Sequence, residues 1–482
     1  RNEGAIELST LPPLNIEQRL GYLIQYPHGC IEQTTSSVFA QLYLDNLTTL
    51  PDDKKMQVQK NIDAAINRLK SFQLSSGGFS YWPGNSYANF WGTNYAGHFL
   101  IEARKKGYSV PEGMLASWIN FQTQKADAWG SLSGEEDNDL IQAYRLYTLA
   151  LAGSPAVGAM NRMKEKVNLQ REARWRLALT YALAGFDQQA TGLVEGLSSE
   201  VEPDNNRRYY YTYGSPMRDQ AMIMETLLQL KRKEDAFGIL QKIAKEMGNK
   251  DNWMSTQTTA YCFISIAKYV QDFPLEESLT VALEVGGKLS PAGGKDYVTQ
   301  VYLQTPDKQQ PIKITNNGSA PIFARIIRKG VPIEGGEIAG EKNLSMIVSY
   351  KTMDGDGLDV SRLKQGTNFM AEVVVRNPGE KGLYKDMALT QLFPSGWEII
   401  NTRLEGTEDA STGQKPDYTD IRDDRVMNYF DLQASKQIVI RVLLNASYQG
   451  KFYMPATSVE AMYDDTIYAH KAGRWVDVIT DK

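Results

Sequence analysis

The chain has 482 residues, 42% of them hydrophobic and 23% charged, which is ordinary globular composition and enough length for about two to four domains. With 52 basic against 57 acidic residues the net charge is −5, which excludes the basic footprint of a protein that binds nucleic acid or an anionic membrane surface. No stretch approaches the roughly 18 consecutive apolar residues of a membrane span.

The first residue is Arg1 rather than Met, and no charged-then-apolar signal pattern follows it. The expectation is a piece of a longer protein whose targeting signal lies upstream.

The first informative element is the run Tyr26-Pro27-His28-Gly29-Cys30-Ile31-Glu32-Gln33-Thr34-Thr35-Ser36. A cysteine three residues before a glutamine has the spacing to close an internal thioester. Attack of the thiolate on the Gln33 side-chain carbonyl expels ammonia and leaves a Cys30 Sγ to Gln33 Cδ acyl bond, a stored electrophile. Gly29 supplies backbone freedom for such a ring, Pro27 keeps the approach extended, and Thr34-Thr35-Ser36 marks a helix beginning within it. On spacing alone a buried structural thiol is the commoner reading. A disulfide is the third, since Cys30 and Cys262 are the two cysteines of the chain; the thioester excludes it, because one sulfur cannot do both. Cys262 falls in the apolar run Thr259 to Ile264, which reads as a helix core position.

From about residue 16 to 272 the apolar period is helical, as in Trp175, Leu179, Leu183 and in Phe263, Ile266, Val270. Comparable helix starts fall near Gln33, Thr93, Asp139, Glu172, Asp219 and Ser255, which implies six helical hairpins. Such an array either stacks as an open solenoid or closes into an α/α toroid, and the alternation leaves both open. Between the first hairpins lies Gly77-Gly78-Phe79-Ser80-Tyr81-Trp82-Pro83-Gly84, a tight turn with aromatics that serve as packing or line a sugar-binding cleft. Glu135, Glu136, Asp137 and Asp139 cluster in one loop, where they suit a solvated turn and helix cap better than facing catalytic carboxylates.

After Pro274 the period becomes that of strands. Ile438, Ile440, Val442 and Leu444 alternate with Val439, Arg441 and Leu443, and Phe369, Ala371, Val373 and Val375 with Met370, Glu372, Val374 and Arg376. Turn signals at Asn316-Asn317-Gly318, Gly355-Asp356-Gly357, Asn377-Pro378-Gly379 and Pro394-Ser395-Gly396 come at sandwich-like intervals. A break near Lys342 to Ser345 divides this half into modules of about 276–344 and 345–482. Asp423-Asp424 reads as a charged turn; a carboxylate pair without further ligands is a poor cation cage, and no metal or other cofactor is expected.

The run around Cys30 resembles the thioester signature of the bacterial alpha-2-macroglobulins, protease-trapping relatives of the complement components. The resemblance extends over the aromatic loop Gly77 to Gly84 and Trp91-Gly92-Thr93-Asn94-Tyr95-Ala96-Gly97-His98-Phe99-Leu100, over Trp253-Met254-Ser255-Thr256-Gln257-Thr258-Thr259-Ala260, and, in the β half, over Leu392-Phe393-Pro394-Ser395-Gly396-Trp397, Arg422-Asp423-Asp424-Arg425-Val426, Gly450-Lys451-Phe452 and Val459-Glu460-Ala461-Met462-Tyr463-Asp464. It implies a multidomain α plus β chain: residues 1–15 the leading strand of a split β-domain, 16–275 an α/α-toroid thioester domain, 276–344 the remainder of the split domain, and 345–482 a C-terminal macroglobulin-like β-sandwich. Ala5 to Ser9 would then pair with strands after residue 276.

The resemblance further implies a single-turnover inhibitor rather than an enzyme, in which Cys30 and Gln33, with Glu32 of the motif, hold a thioester that captures attacking proteases through their lysine amines. Storing such a bond demands a dry aromatic cover, assigned by resemblance to Met462 and Tyr463, with Tyr26 and Tyr95 nearer; the alternative for Met462 and Tyr463 is the edge of the β core. Some members of the superfamily pass the acyl group through a downstream histidine. The chain has only His28, His98 and His470, and none in Gly134 to Ile141, so direct aminolysis is expected, with assistance by His28 left open. Upstream macroglobulin domains and an exported, periplasmic or envelope setting, with a lipid anchor in the missing part, are family implications. Two competing functions are an α/α-toroid carbohydrate-active enzyme and a passive adhesive or structural module with an inert Cys30.

Overall fold

The computed structural model describes residues 3–12, 14–15, 19, 21, 29–47, 50–130, 138–201, 211–249, 252–274, 279–290, 292–294, 297–303, 309–319, 321–330, 339–400 and 415–480. The chain divides into two compact units, Arg1–Gly330 and Val331–Lys482.

In the first unit the described helices are α1 (Ile31–Phe39), continued by a 3-10 turn and α2 (Leu44–Leu47), then α3 (Asp52–Leu69), α4 (Phe90–Lys105), α5 (Glu112–Ala128), α6 (Asp139–Leu151), α7 (Val157–Lys164), α8 (Arg171–Leu183), α9 (Asp187–Val194), α10 (Pro216–Gln229), α11 (Lys233–Gly248) and α12 (Thr256–Asp272). Two kinds alternate. Helices such as α3 bury one stripe, Val58, Ile62, Ala65, Ile66 and Leu69, and turn their charges outward. Helices α1, α4, α6, α8, α10 and α12 are buried nearly all round. Each of these packs on the next, and α12 packs back on α1. The ring closes. The fold is an α/α toroid, and the starts expected from the period lie within three residues of those observed.

The ring geometry explains its unusual core. Six helices at roughly 8–10 Å spacing leave a centre about that far from every axis, beyond the reach of Val or Leu. Long side chains fill it instead: Trp91, Trp175, Tyr95, Tyr144, Tyr147, Tyr261 and Arg176 are all fully buried. Their polar ends meet one another. Each ring nitrogen of His98 faces a tyrosine hydroxyl, Tyr144 at 3.0 Å and Tyr147 at 3.2 Å. Glu225 accepts from Arg176 at 2.8 Å and from Lys268 at 2.7 Å.

The β residues of this unit form two small sheets. Strand β1 (Glu3–Ser9) lies antiparallel between β5 (Val298–Tyr302) and β7 (Phe323–Lys329). Strand β2 (Leu279–Val285) pairs with β3 (Lys288–Ser290), β4 (Gly293–Gly294) and β6 (Ile312–Asn316). Ile6, Leu8, Val281 and Leu283 share one core, so residues on either side of the helical segment build one β body.

The second unit is all β. One sheet runs β13 (Trp397–Ile400), β16 (Gln437–Ala446), β11 (Asn368–Arg376), β9 (Ser345–Thr352); the other runs β14 (Tyr418–Ile421), β15 (Arg425–Leu432), β12 (Tyr384–Leu392), β18 (Thr457–Ala461), β19 (Asp464–Lys471), β8 (Gly340–Lys342). A third joins β10 (Arg362–Lys364), β20 (Arg474–Ile479) and β17 (Gly450–Met454). The expected alternation is realised: Ile438, Ile440, Val442 and Leu444 point inward from β16, opposite Val375, Val373, Ala371 and Phe369 of β11. Strand β8, which the break in the pattern places in the preceding module, pairs with β19 of this unit, because a three-residue strand carries too little pattern to show its partner.

Candidate thioester site

The site is built on the first turn of α1. Cys30 is the N-cap, extended at φ −70° and ψ 176°, and its Sγ accepts the backbone N–H of Gln33 at 3.5 Å. In return the Gln33 side-chain oxygen accepts the backbone N–H of Cys30 at 3.4 Å. This is a reciprocal capping box with sulfur in the place of the usual hydroxyl, and it folds the carboxamide back over the cysteine. The two groups a thioester would join are thus brought together by the same local rule that starts the helix. Cys30 is not disulfide-linked to Cys262, which is buried on α12 and whose thiol burial pushes upward.

Gly29 precedes the cap at φ +90°, where an L side chain is strained. A Cβ there would also stand 2.0 Å from Gln33 Oε1, so the folded-back carboxamide occupies the space that only a glycine leaves.

The walls come from four segments. Ile31 N–H donates to the Tyr81 carbonyl at 3.0 Å, tying the aromatic loop to the motif. In that loop Phe79 and Trp82 are buried, and the Tyr81 ring stacks on Tyr213 at 5.3 Å and 24°. Tyr213 is in the left-handed region at φ 48°, an arrangement held by that stack and by Asn89 Nδ2 donating to its hydroxyl at 2.9 Å. Helix α4 approaches closely, since a Cβ on Gly92 would meet Ile31 Cγ2 at 2.5 Å. From α3, Arg68 Nη2 donates to the Gly29 carbonyl at 3.1 Å.

Glu32 is fully buried beneath this turn. Ser36 Oγ donates to its Oε1 at 2.5 Å, and Thr256 Oγ1 lies 3.1 and 3.3 Å from its two oxygens. Tyr95, expected as a cover, is fully buried in the toroid; its hydroxyl meets Ser36 Oγ at 3.0 Å and its ring stacks on Tyr261 at 5.5 Å. Burial first, then the neighbouring Tyr261 and Glu32, hold the Tyr95 phenol well above its ordinary pKa, so it stays neutral. Tyr26 and His28 lie outside the described residues. Met462 and Tyr463 follow β18 in the second unit, where Met462 N–H donates to the Asp386 carbonyl at 3.0 Å.

Among the other residues singled out, Asp139 is not the expected solvated cap: Asn138 caps α6, and Asp139 is buried behind it, taking Lys166 at 2.6 Å and the Gln170 N–H at 3.1 Å as a structural tie to the start of α8; Glu135, Glu136 and Asp137 lie outside the described residues. Asp424 is engaged by Arg425 at 2.6 Å, and among the described residues no group of three or more His, Cys, Asp or Glu is arranged to hold a metal ion.

Two family models match the chain: the A-macroglobulin TED domain over residues 7–142, and the bacterial alpha-2-macroglobulin MG10 domain over residues 344–465. Through both segments the chain is similar to the bacterial alpha-2-macroglobulins. The alpha-2-macroglobulin of Escherichia coli is 24% identical over 492 residues, taking in 96% of this chain and 29% of that protein, so the chain spans less than a third of the relative's length. The structure of native Escherichia coli alpha-2-macroglobulin from domain MG7 to the C-terminus has a TM-score of 0.81 at 22% identity, covering 99% of this chain and 77% of that one. The structure of Salmonella alpha-2-macroglobulin reacted with methylamine has a TM-score of 0.83 at 23% identity, covering 99% of this chain and 32% of that one. At these identities the likeness is one of fold.

Arg68, Thr256 and the Tyr81 carbonyl were not legible as parts of the site. Their sequence signals are Tyr81 and Thr256 within stretches that resemble the family, and the partner of Thr256, Glu32, is 224 residues away.

Proposed function

We propose that Cys30 Sγ and Gln33 Cδ are joined in an internal thioester, and that the chain performs the acyl-transfer step of a protease-trapping inhibitor. The observation that carries this reading is the reciprocal cap, in which the Cys30 sulfur accepts the Gln33 backbone N–H and the Gln33 carboxamide oxygen accepts the Cys30 backbone N–H, one helical turn apart. In the first step the thiol adds to Cδ, the Cδ–Nε2 bond breaks, and ammonia departs with the thiol proton. In the second an amine nitrogen adds to Cδ, the C–S bond breaks, the sulfur takes a proton from the amine, and an amide remains. The acyl donor is consumed, so the reaction is single-turnover.

The nucleophiles are lysine ε-amines of target proteases, attacking directly. His98 supports direct attack: both its nitrogens are committed to Tyr144 and Tyr147, and burial, reinforced by Lys268, lowers its pKa to about 3. In the same reading the helical ring is the thioester domain, β1 and β2 to β7 are one β-domain interrupted by it, and the parent protein is exported to the periplasm or envelope.

Intact mass of freshly purified protein tests the bond, since a thioester leaves the chain one ammonia lighter than its sequence. Methylamine, with which the Salmonella relative was reacted, is the probe nucleophile. Labelling that requires both Cys30 and Gln33 is the expected result; a full-mass chain that takes no methylamine overturns the proposal.

A further inference from the structure

Arg68 stands in the last turn of α3, on the outer layer of the toroid, yet its guanidinium turns inward to the thioester turn. Nη2 donates to the Gly29 carbonyl at 3.1 Å. Nε is buried without a hydrogen-bond partner, the guanidinium lies 5.8 Å from the Phe72 ring centroid, and among the described residues no ion pair uses this cation. An uncompensated positive charge is therefore applied to one peptide group. The other end of that same peptide group, the Cys30 N–H, donates to Gln33 Oε1.

We propose that Arg68 is a positioning residue for the thioester chemistry, acting through the Gly29–Cys30 peptide to make the Cys30 N–H the oxyanion donor for Gln33. The inference rests on the thioester reading above. A cation on a peptide carbonyl draws electron density from its N–H, and hydrogen bonds in series strengthen one another at low local dielectric. Oε1 is the atom that takes negative charge both when sulfur adds to Cδ and ammonia leaves, and when an amine adds and sulfur leaves. One donor thus serves the formation of the bond and its discharge. At 3.4 Å the ground-state contact is long, so it gains most as charge develops on the oxygen. Gly29 completes the device, because any side chain there would displace Oε1 from the donor.

The test compares Arg68→Lys, which keeps a cation, with Arg68→Gln, which keeps a donor without charge, and Arg68→Met, which keeps neither. Helical content and melting temperature report the fold, the ammonia deficit reports bond formation, and the methylamine labelling rate at fixed concentration and pH reports discharge. Arg68→Lys is expected to label at near the native rate, and the Gln and Met variants about tenfold or more slowly at native helical content. Should Arg68→Met fail to fold, the Lys and Gln variants still decide. Native labelling rates in the Gln variant overturn the proposal, as does an equal loss in the Lys variant, which would make Arg68 a steric clamp only. A native protein of full mass overturns the thioester reading itself, an outcome visible before any variant is made.

Discussion

Thr256, the first residue of the last inner helix, places its hydroxyl 3.1 Å from a carboxylate oxygen of Glu32, the second residue of the first inner helix. The seam at which the toroid closes is therefore hydrogen-bonded directly beneath the Cys30–Gln33 turn. A buried carboxylate deprived of a donor costs about 1–3 kcal/mol. Thr256→Val is expected to destabilise the helical unit by that order and to reduce the fraction of chains carrying an ammonia deficit, with Thr256→Ser close to native. Denaturant unfolding and intact mass check both. A Val variant with native stability would show that the seam is held elsewhere.

Cys30→Ala removes the sulfur and one half of the capping box. The N-cap loss is expected to cost about 1 kcal/mol, which leaves the fold intact. Methylamine labelling is expected to vanish, and the mass to equal that of the substituted sequence. Covalent labelling retained in this variant would place the electrophile at another residue.

Gly29→Ala forces a side chain into the left-handed region and against Gln33 Oε1. The strain alone costs about 1 kcal/mol. The larger effect is on chemistry: the carboxamide is pushed off the cysteine, so thioester formation is expected to fall well below the native fraction while the melting temperature moves by only a few degrees. Native ammonia loss in this variant would show that the folded-back carboxamide is not the reacting geometry.

The toroid centre predicts acid sensitivity of defined sign. Burial and then Lys268 depress His98 from 6.5 to about 3. The unfolded chain therefore binds a proton between these values that the folded chain refuses, and stability present above pH 6.5 is lost as pH falls towards 3. Glu225 adds to this lower down: burial would raise it, but Lys268 and Arg176 outweigh burial and hold it at about 2, so its contribution, present above its ordinary value, is lost as pH falls through 4.5 towards 2. Between pH 6.5 and 4.5 the slope contributed by the toroid centre belongs to His98, on the order of one proton. His98→Gln, which retains polar atoms for Tyr144 and Tyr147, is expected to flatten that part of the profile in denaturant titrations. An unchanged slope would assign the sensitivity to another group.

Much of the site follows from short-range chemistry. A cysteine at an N-cap with glutamine three residues on can form the reciprocal cap from local geometry, because the partners are one turn apart and Gly29 leaves the carboxamide room. The six inner helices declare themselves through starts such as Asp139 and Glu172, and the strands through Val373 and Ile440, since periods of 3.6 and 2 are local properties.

What was beyond reading depends on closure of the chain at long range. Arg68 meets Gly29 across 39 residues because α3 packs back on α1, and Thr256 meets Glu32 across 224 because the ring of helices returns to its start. Strand β1 shows no sign in its own residues that its neighbours are β5 and β7, and β8 is too short to show that it belongs with β19. Local sequence sets which turn brings sulfur and carboxamide together. The charge applied to that turn, and the Thr256 hydroxyl that meets the carboxylate buried under it, arrive from other segments whose positions are set by tertiary packing.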